Sequence, residues 1–123
     1  MADLAALLES IKSALGGAVT GATMARGELT IEVGRKAATN GDEIGAASVD
    51  YLFYSGYVAL AYWWARSVAT VDAGGHPDEL RTAKRATARF YFARILPRIH
   101  GHAAAMRSGA AVLQGLDAAL FDS

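Results

Sequence analysis

The chain contains no cysteine. Disulfides, thiol nucleophiles and zinc–cysteine sites are therefore excluded, and an intracellular, cytoplasmic protein is the simplest expectation. Proline is scarce: Pro77 and Pro97 are the only two in 123 residues. Net charge is also lacking, with 12 basic residues against 12 acidic. A general nucleic-acid binder is normally basic overall, so no nucleic-acid partner is expected. No uncharged run exceeds the 15 residues from Tyr51 to Ala65. That is short of the roughly 20 apolar residues needed to cross a bilayer, so no membrane span is expected. The N-terminus, Met1-Ala2-Asp3-Leu4, lacks the basic segment and apolar run of a signal peptide. No segment sustains a two-residue alternation, so no strands are expected.

What the chain does contain is alanine, 27 residues of it. Alanine loses almost nothing on entering a helix, so the composition favours an all-helical domain. A chain of this length suits one domain, residues 1–123, and is long enough to bury a core of its own. The 13 glycines are many for such a chain and should mark helix breaks and close helix contacts.

The stretch Tyr51 to Val71 organises the rest. It holds both tryptophans and four of the five tyrosines. Phe53, Tyr57, Leu60, Trp64, Val68 and Val71 recur at steps of three and four, which is helix spacing, and should form the inward face. A second run, Tyr54, Val58, Ala61 and Ala65, lies beside it. A helix apolar over most of its circumference is central in a bundle, in a membrane, or covered by a partner. With the membrane set aside, two neighbours leave Tyr51, Tyr54 and Tyr62 still to cover, and a partner is expected.

Three long antiparallel helices follow from the pattern. The first carries Leu4, Leu8, Ile11, Leu15, Val19, Ala22, Arg26, Leu29, Val33 and Lys36 on one stripe. Asp3 suits its start, and Glu32 with Lys36 makes an i,i+4 pair. Asn40-Gly41 signals a turn. Asp42 then caps a second helix running to about Asp72, and Ala73-Gly74-Gly75 ends it. Pro77 opens the third, with Asp78 and Glu79 at its positive end. Leu80, Ala83, Thr87, Phe90, Ile95 and Ile99 should face inward, with Phe92 and Leu96 alongside. Pro97, lacking an amide hydrogen, should kink the helix between Ala93 and Leu96. Asp117 caps a last turn whose Leu120 and Phe121 should dock on the core.

Few groups suggest chemistry. Gly16-Gly17-Ala18-Val19-Thr20-Gly21 lacks the GxGxxG spacing and the lysine of a phosphate loop. Gly17 and Gly21 instead have the spacing of closely packed helices. His100 and His102, two apart, cannot share a helix face, and His76 lies in a turn, so no metal site is expected. The serines lack a nucleophile-elbow context. Ser55, beside Gly56, reads as a small packing residue with its hydroxyl bonded back to the helix. Asp42/Glu43 and Asp78/Glu79 sit at helix starts, where capping explains them. The unusual feature is charge placement. Arg81, Lys84, Arg85, Arg89, Arg94, Arg98 and Arg107 lie between Leu80 and Leu116 with no acid among them, so this part carries +7 and the remainder −7. Arg81, Arg85 and Arg89 repeat at i,i+4. The row either binds phosphate, nucleic acid or an acidic partner, or it pairs with acids of the first two helices or is simply solvated.

Three segments together resemble a known family. They are Tyr54-Ser-Gly-Tyr-Val-Ala-Leu-Ala-Tyr-Trp-Trp-Ala-Arg66, Lys84-Arg-Ala-Thr-Ala-Arg-Phe-Tyr-Phe-Ala-Arg-Ile-Leu-Pro97 and Ala110-Ala-Val-Leu-Gln-Gly-Leu-Asp-Ala-Ala-Leu-Phe121. From about Asp42 to Phe121 the pattern is similar to the extra C-terminal helical region of a subgroup of bacterial acyl-CoA dehydrogenases, including long-chain and methylthiopropanoyl-CoA types. The resemblance implies a parent enzyme that oxidises acyl-CoA to enoyl-CoA with FAD and a glutamate base. The family's flavin contacts and catalytic glutamate lie upstream of this region, and no position here matches them. No catalytic, cofactor-binding or metal residue is therefore assigned, and FAD is expected in the parent rather than on this chain. The expected partner is the catalytic body, at its surface or at a subunit interface of a homo-oligomer. The alternative is a stand-alone helical module that associates with a second copy of itself.

Overall fold

A computed structural model describes residues 18–122. The expectations for Asp3, Leu4, Leu8, Ile11, Leu15, Gly16 and Gly17 lie outside the described residues, as do those for Ser10 and Ser13. Helix α1 spans Ala18–Thr39, α2 Asp42–Asp72 and α3 Asp78–Phe90. A π-helical turn, Tyr91–Ile95, and a 3-10 turn, Leu96–Arg98, lead into α4, Ile99–Ser108. A short 3-10 turn, Ala118–Phe121, closes the chain. The fold is all-helical, and no strand occurs among the described residues.

The helix junctions follow local chemistry. Asp42 is not the cap but already the first helical residue: Gly41 holds the N-cap position, and the Asn40 side chain accepts from the Asp42 amide at 3.0 Å. Gly74 and Gly75 end the α2 region at φ +102° and +79°, where a side chain would be strained. Pro77 immediately precedes α3, and the Arg81 amide donates to its carbonyl at 3.2 Å. Asp117 caps the last turn as its sequence implies, accepting from the Ala119 amide at 3.0 Å.

Cross-helix contacts fix the directions. Arg26 meets Ser55 and Thr30 meets Tyr51, so α1 and α2 run antiparallel. Asp72 meets Arg85, Tyr57 meets Tyr91 and Asp50 meets His102, so the α3–α4 arm runs antiparallel to α2 as well. Glu32 and Lys36 both engage Arg107, which places α4 beside α1. Glu32 and Lys36 thus share a partner across the bundle instead of pairing with each other. α2 packs against every other helix and is the central element.

The buried face of α2 is Ala47, Tyr54, Val58, Ala61, Ala65, Val68 and Val71. This is the second of the two apolar runs. Of the run expected inward, Val68 and Val71 are buried, and Tyr57 and Trp64 pack partly on the core. Phe53 and Leu60 are 51 and 50% exposed. The reason is steric: Ala61 and Ala65 at 0% exposure let neighbouring helices approach where leucine and phenylalanine would hold them off.

The arm shows the same one-position shift. Leu80, Ala83, Thr87 and Phe90 face outward, and Ala88 and Tyr91 are buried instead. Past the break, Ile99 is buried as expected, Leu96 is buried, and Phe92 and Ile95 pack against the core. Pro97 does interrupt the helix. The Leu96 amide reaches back five residues to the Tyr91 carbonyl, and this extra residue rephases the apolar stripe so that Leu96, Ile99, Ala103 and Met106 turn inward. Leu120 and Phe121 do not dock. They are 68 and 73% exposed.

The helix-interior glycines are not close contacts. A Cβ added to Gly21, Gly27 or Gly56 would meet nothing within 4 Å. Gly27→Ala and Gly56→Ala should each stabilise the fold by up to about 1 kcal/mol, because alanine restricts the unfolded chain at no steric cost. Gly74→Ala should lower stability instead, since its φ is positive. Thermal unfolding of the three variants checks both signs.

Candidate interaction surface

Among the described residues no charged side chain is buried, and the buried polar groups are the phenols of Tyr54 and Tyr91. The chemistry of this bundle is therefore at its surface and at its helix seams. No group of His, Asp and Glu there could hold a metal ion, and no described helix is long and apolar enough to cross a membrane.

Three of the seven basic residues between Leu80 and Leu116, namely Arg81, Arg85 and Arg107, pair with acids. Arg85 grips Asp72 through two hydrogen bonds of 2.8 Å. This fork holds the Asp72 carboxyl below its ordinary range, chiefly by hydrogen bonding, and raises Arg85 in turn. Arg81 pairs with Asp78 one turn back at 2.7 Å. Arg107 pairs with Glu32 at 3.1 Å. Of the i,i+4 row, only Arg89 lacks an acidic partner among the described residues. Arg85 thus pairs with an acid of α2, as one expectation had it, and Arg81 with an acid on its own helix.

His102 is the polar joint that spacing alone missed. Its Nδ1 lies 2.8 Å from Asp50 Oδ1, and its ring stacks on Phe53 at 5.4 Å with 10° between planes. Tyr57 flanks it at 5.8 Å. Asp50 and His102 are 52 residues apart, so only the opposite charges of the two halves hinted at such a link. Glu43 serves similarly. It accepts from the Ala110 amide at 3.2 Å and ties the end of the arm to the start of α2. Ser55 is also a joint: its hydroxyl accepts from Arg26 Nε at 3.2 Å instead of only packing. His76 and His100 are exposed.

Two tyrosines mark the seams electrostatically. Tyr51 accepts support from Thr30 at 3.0 Å and sits under the Arg26 guanidinium at 5.5 Å. The hydrogen bond to Thr30, together with Arg26, lowers its pKa. Tyr91 is buried and donates to the Tyr57 carbonyl at 2.5 Å. Burial first, and Tyr57 second, push its phenol up to about 12. The unfolded chain then releases this proton near pH 10 while the folded chain keeps it, so stability falls as pH rises from 10 towards 12. Tyr91→Phe should lose about 1 kcal/mol at pH 8 with the hydrogen bond. Its deficit should shrink at pH 11, as denaturant titrations at the two pH values would reveal.

The apolar surface is the larger feature. Between α1 and α2, lined by residues of these two helices, lies an open groove of about 760 Å³. Val33, Ala37, Ile44, Ala47 and Leu52 give it an apolar wall, and Arg26, Thr30, Tyr51 and Ser55 form its polar end. Ile31, Ile44, Val49, Leu52 and Phe53 are exposed on these two helices. Of these, Ile44 and Leu52 line the groove, whereas Phe53 stacks on His102; an exposed apolar groove marks an interaction site more often than a solvated surface.

The described residues thus form a helical bundle with an open, mostly apolar groove between α1 and α2. Among known families, the model described as "Acetyl-CoA dehydrogenase C-terminal like" matches residues 1–117. The chain belongs to that family. No significant match is found among curated protein sequences or among solved structures.

Proposed function

We propose that this chain is the helical accessory domain of an FAD-dependent acyl-CoA dehydrogenase. It packs on the catalytic body or at a subunit interface of a homo-oligomer, and its apolar α1/α2 face makes the contact. The family match over residues 1–117 carries the reading, and the open groove supports it. The parent oxidises acyl-CoA to enoyl-CoA, in the long-chain or methylthiopropanoyl-CoA subgroup whose pattern the three segments resemble.

FAD itself does not fit the described residues. Its flavin ring and pyrophosphate need enclosed donors. The described residues bury no charged side chain, and the one cation of the α1/α2 groove, Arg26, is engaged with Ser55 and Tyr51. The flavin and the base belong to the body. The test is to purify this chain alone and mixed with an acyl-CoA dehydrogenase body from the same genome. The isolated chain should show neither flavin absorbance nor turnover, and should co-migrate with the body. Ile44→Asp with Leu52→Asp should abolish co-migration while helicity is kept. Robust turnover by the isolated chain would overturn the reading.

A further inference from the structure

A second recess lies between α2 and α3, near the Gly74-Gly75 turn. Its volume is about 330 Å³, the lower end of the range for small-molecule sites. Three of its lining residues are Arg66, Lys84 and His76, and no acid lines it. Of the acids next to it in sequence, Asp72 and Asp78 are each held by an arginine, while Glu79 is exposed. Arg66 and Lys84 have no acidic partner among the described residues.

Both cations are positioned without being neutralised. Arg66 donates to the Tyr62 hydroxyl at 3.1 Å, a neutral acceptor. The Lys84 ammonium sits 5.5 Å from the centre of the Trp64 ring, a cation–π contact that fixes direction and leaves the charge intact. Trp63 supplies the flat element. It lines the recess, is 60% exposed, and is steadied by the edge of Tyr62 at 5.2 Å and 77°. Ser67 and Thr70 spend their hydroxyl protons on the carbonyls of Trp63 and Arg66 at 2.9 and 2.8 Å. Their oxygen lone pairs remain to accept from a bound molecule.

We propose that this recess binds a phosphorylated nucleotide, with the base stacked on Trp63 and the phosphates between Arg66 and Lys84. Uncompensated guanidinium and ammonium groups are what phosphate recognition needs. An exposed indole beside them accepts any aromatic base, without selecting among bases. The site is independent of what docks on the α1/α2 groove, which lies on a different pair of helices.

The test is titration of the full chain with ADP, adenosine and inorganic phosphate, followed by tryptophan fluorescence and calorimetry. ADP should bind saturably, and adenosine and phosphate each at least about tenfold more weakly. Arg66→Gln and Lys84→Gln should each weaken ADP about tenfold, the equivalent of one lost charge-assisted hydrogen bond. Trp63→Ala should weaken ADP by a similar factor through lost stacking and leave phosphate binding unchanged. These side chains lie at the surface, and circular dichroism confirms that the variants fold. Absence of saturable ADP binding at millimolar concentration overturns the proposal. So does ADP affinity indifferent to both charge substitutions, or adenosine binding as tightly as ADP.

Discussion

Ala61→Asp should unfold this bundle, while Leu60→Asp one residue earlier should leave it folded. Ala61 is 0% exposed and packed in the core cluster around Tyr54, Val58 and Ala65. A carboxylate there has no cation to pair with, since no charged side chain is buried among the described residues. It must either stay charged in an apolar site or take up a proton, and its extra atoms must be fitted into a close helix contact. Together these should cost more than about 3 kcal/mol, against a total stability on the order of 5–15 kcal/mol for a domain. Leu60 is 50% exposed, so an aspartate there remains in water. Its cost should stay within about 1 kcal/mol, set by helix propensity. Far-ultraviolet circular dichroism and urea titration of the two variants separate the outcomes. The reverse order would mean that α2 is rotated by about 100° from the orientation described.

Leu29→Ala should be the most damaging truncation on α1, costing about 2–5 kcal/mol. Leu29 is 1% exposed and is the largest fully buried side chain among the described residues. It faces a cluster drawn from α2, the π-helical turn and α4, so a void there is bordered by several elements and cannot close by moving one. Ile31→Ala, two residues on and 58% exposed, should cost little in the isolated chain. A shift of the denaturation midpoint with unchanged slope would report lost packing, as opposed to a changed unfolded state. If Ile31→Ala instead weakens association with the catalytic body, the exposed residue belongs to the docking face.

These substitutions bear on how far the sequence could be read. Alanine content, the absence of two-residue alternation, and the Asn40-Gly41, Gly74-Gly75 and Pro97 punctuation determined an all-helical chain, its joints and its antiparallel order. Those features act through the local backbone, so they are legible without neighbours. The family resemblance was legible for the same reason: it rests on the order and spacing of segments. The facing of each helix was not. α2 carries two apolar stripes about 100° apart, and periodicity counts both as inward. Tertiary packing chose the stripe with Ala61 and Ala65 because small residues allow close approach, and it left Phe53 and Leu60 outside. The arm was decided by charge pairing and by the π-helical turn. Arg85 had to reach Asp72, Lys84 settled over Trp64, and one added residue turned Leu96 and Ile99 inward. The seams joining Asp50 to His102, Glu43 to Ala110 and Arg26 to Ser55 span 29 to 67 residues of chain. Local patterning sets which residues share a helix face. Only the packed bundle decides which face meets which, because that choice is a competition between volumes and charges brought together from distant parts of the sequence.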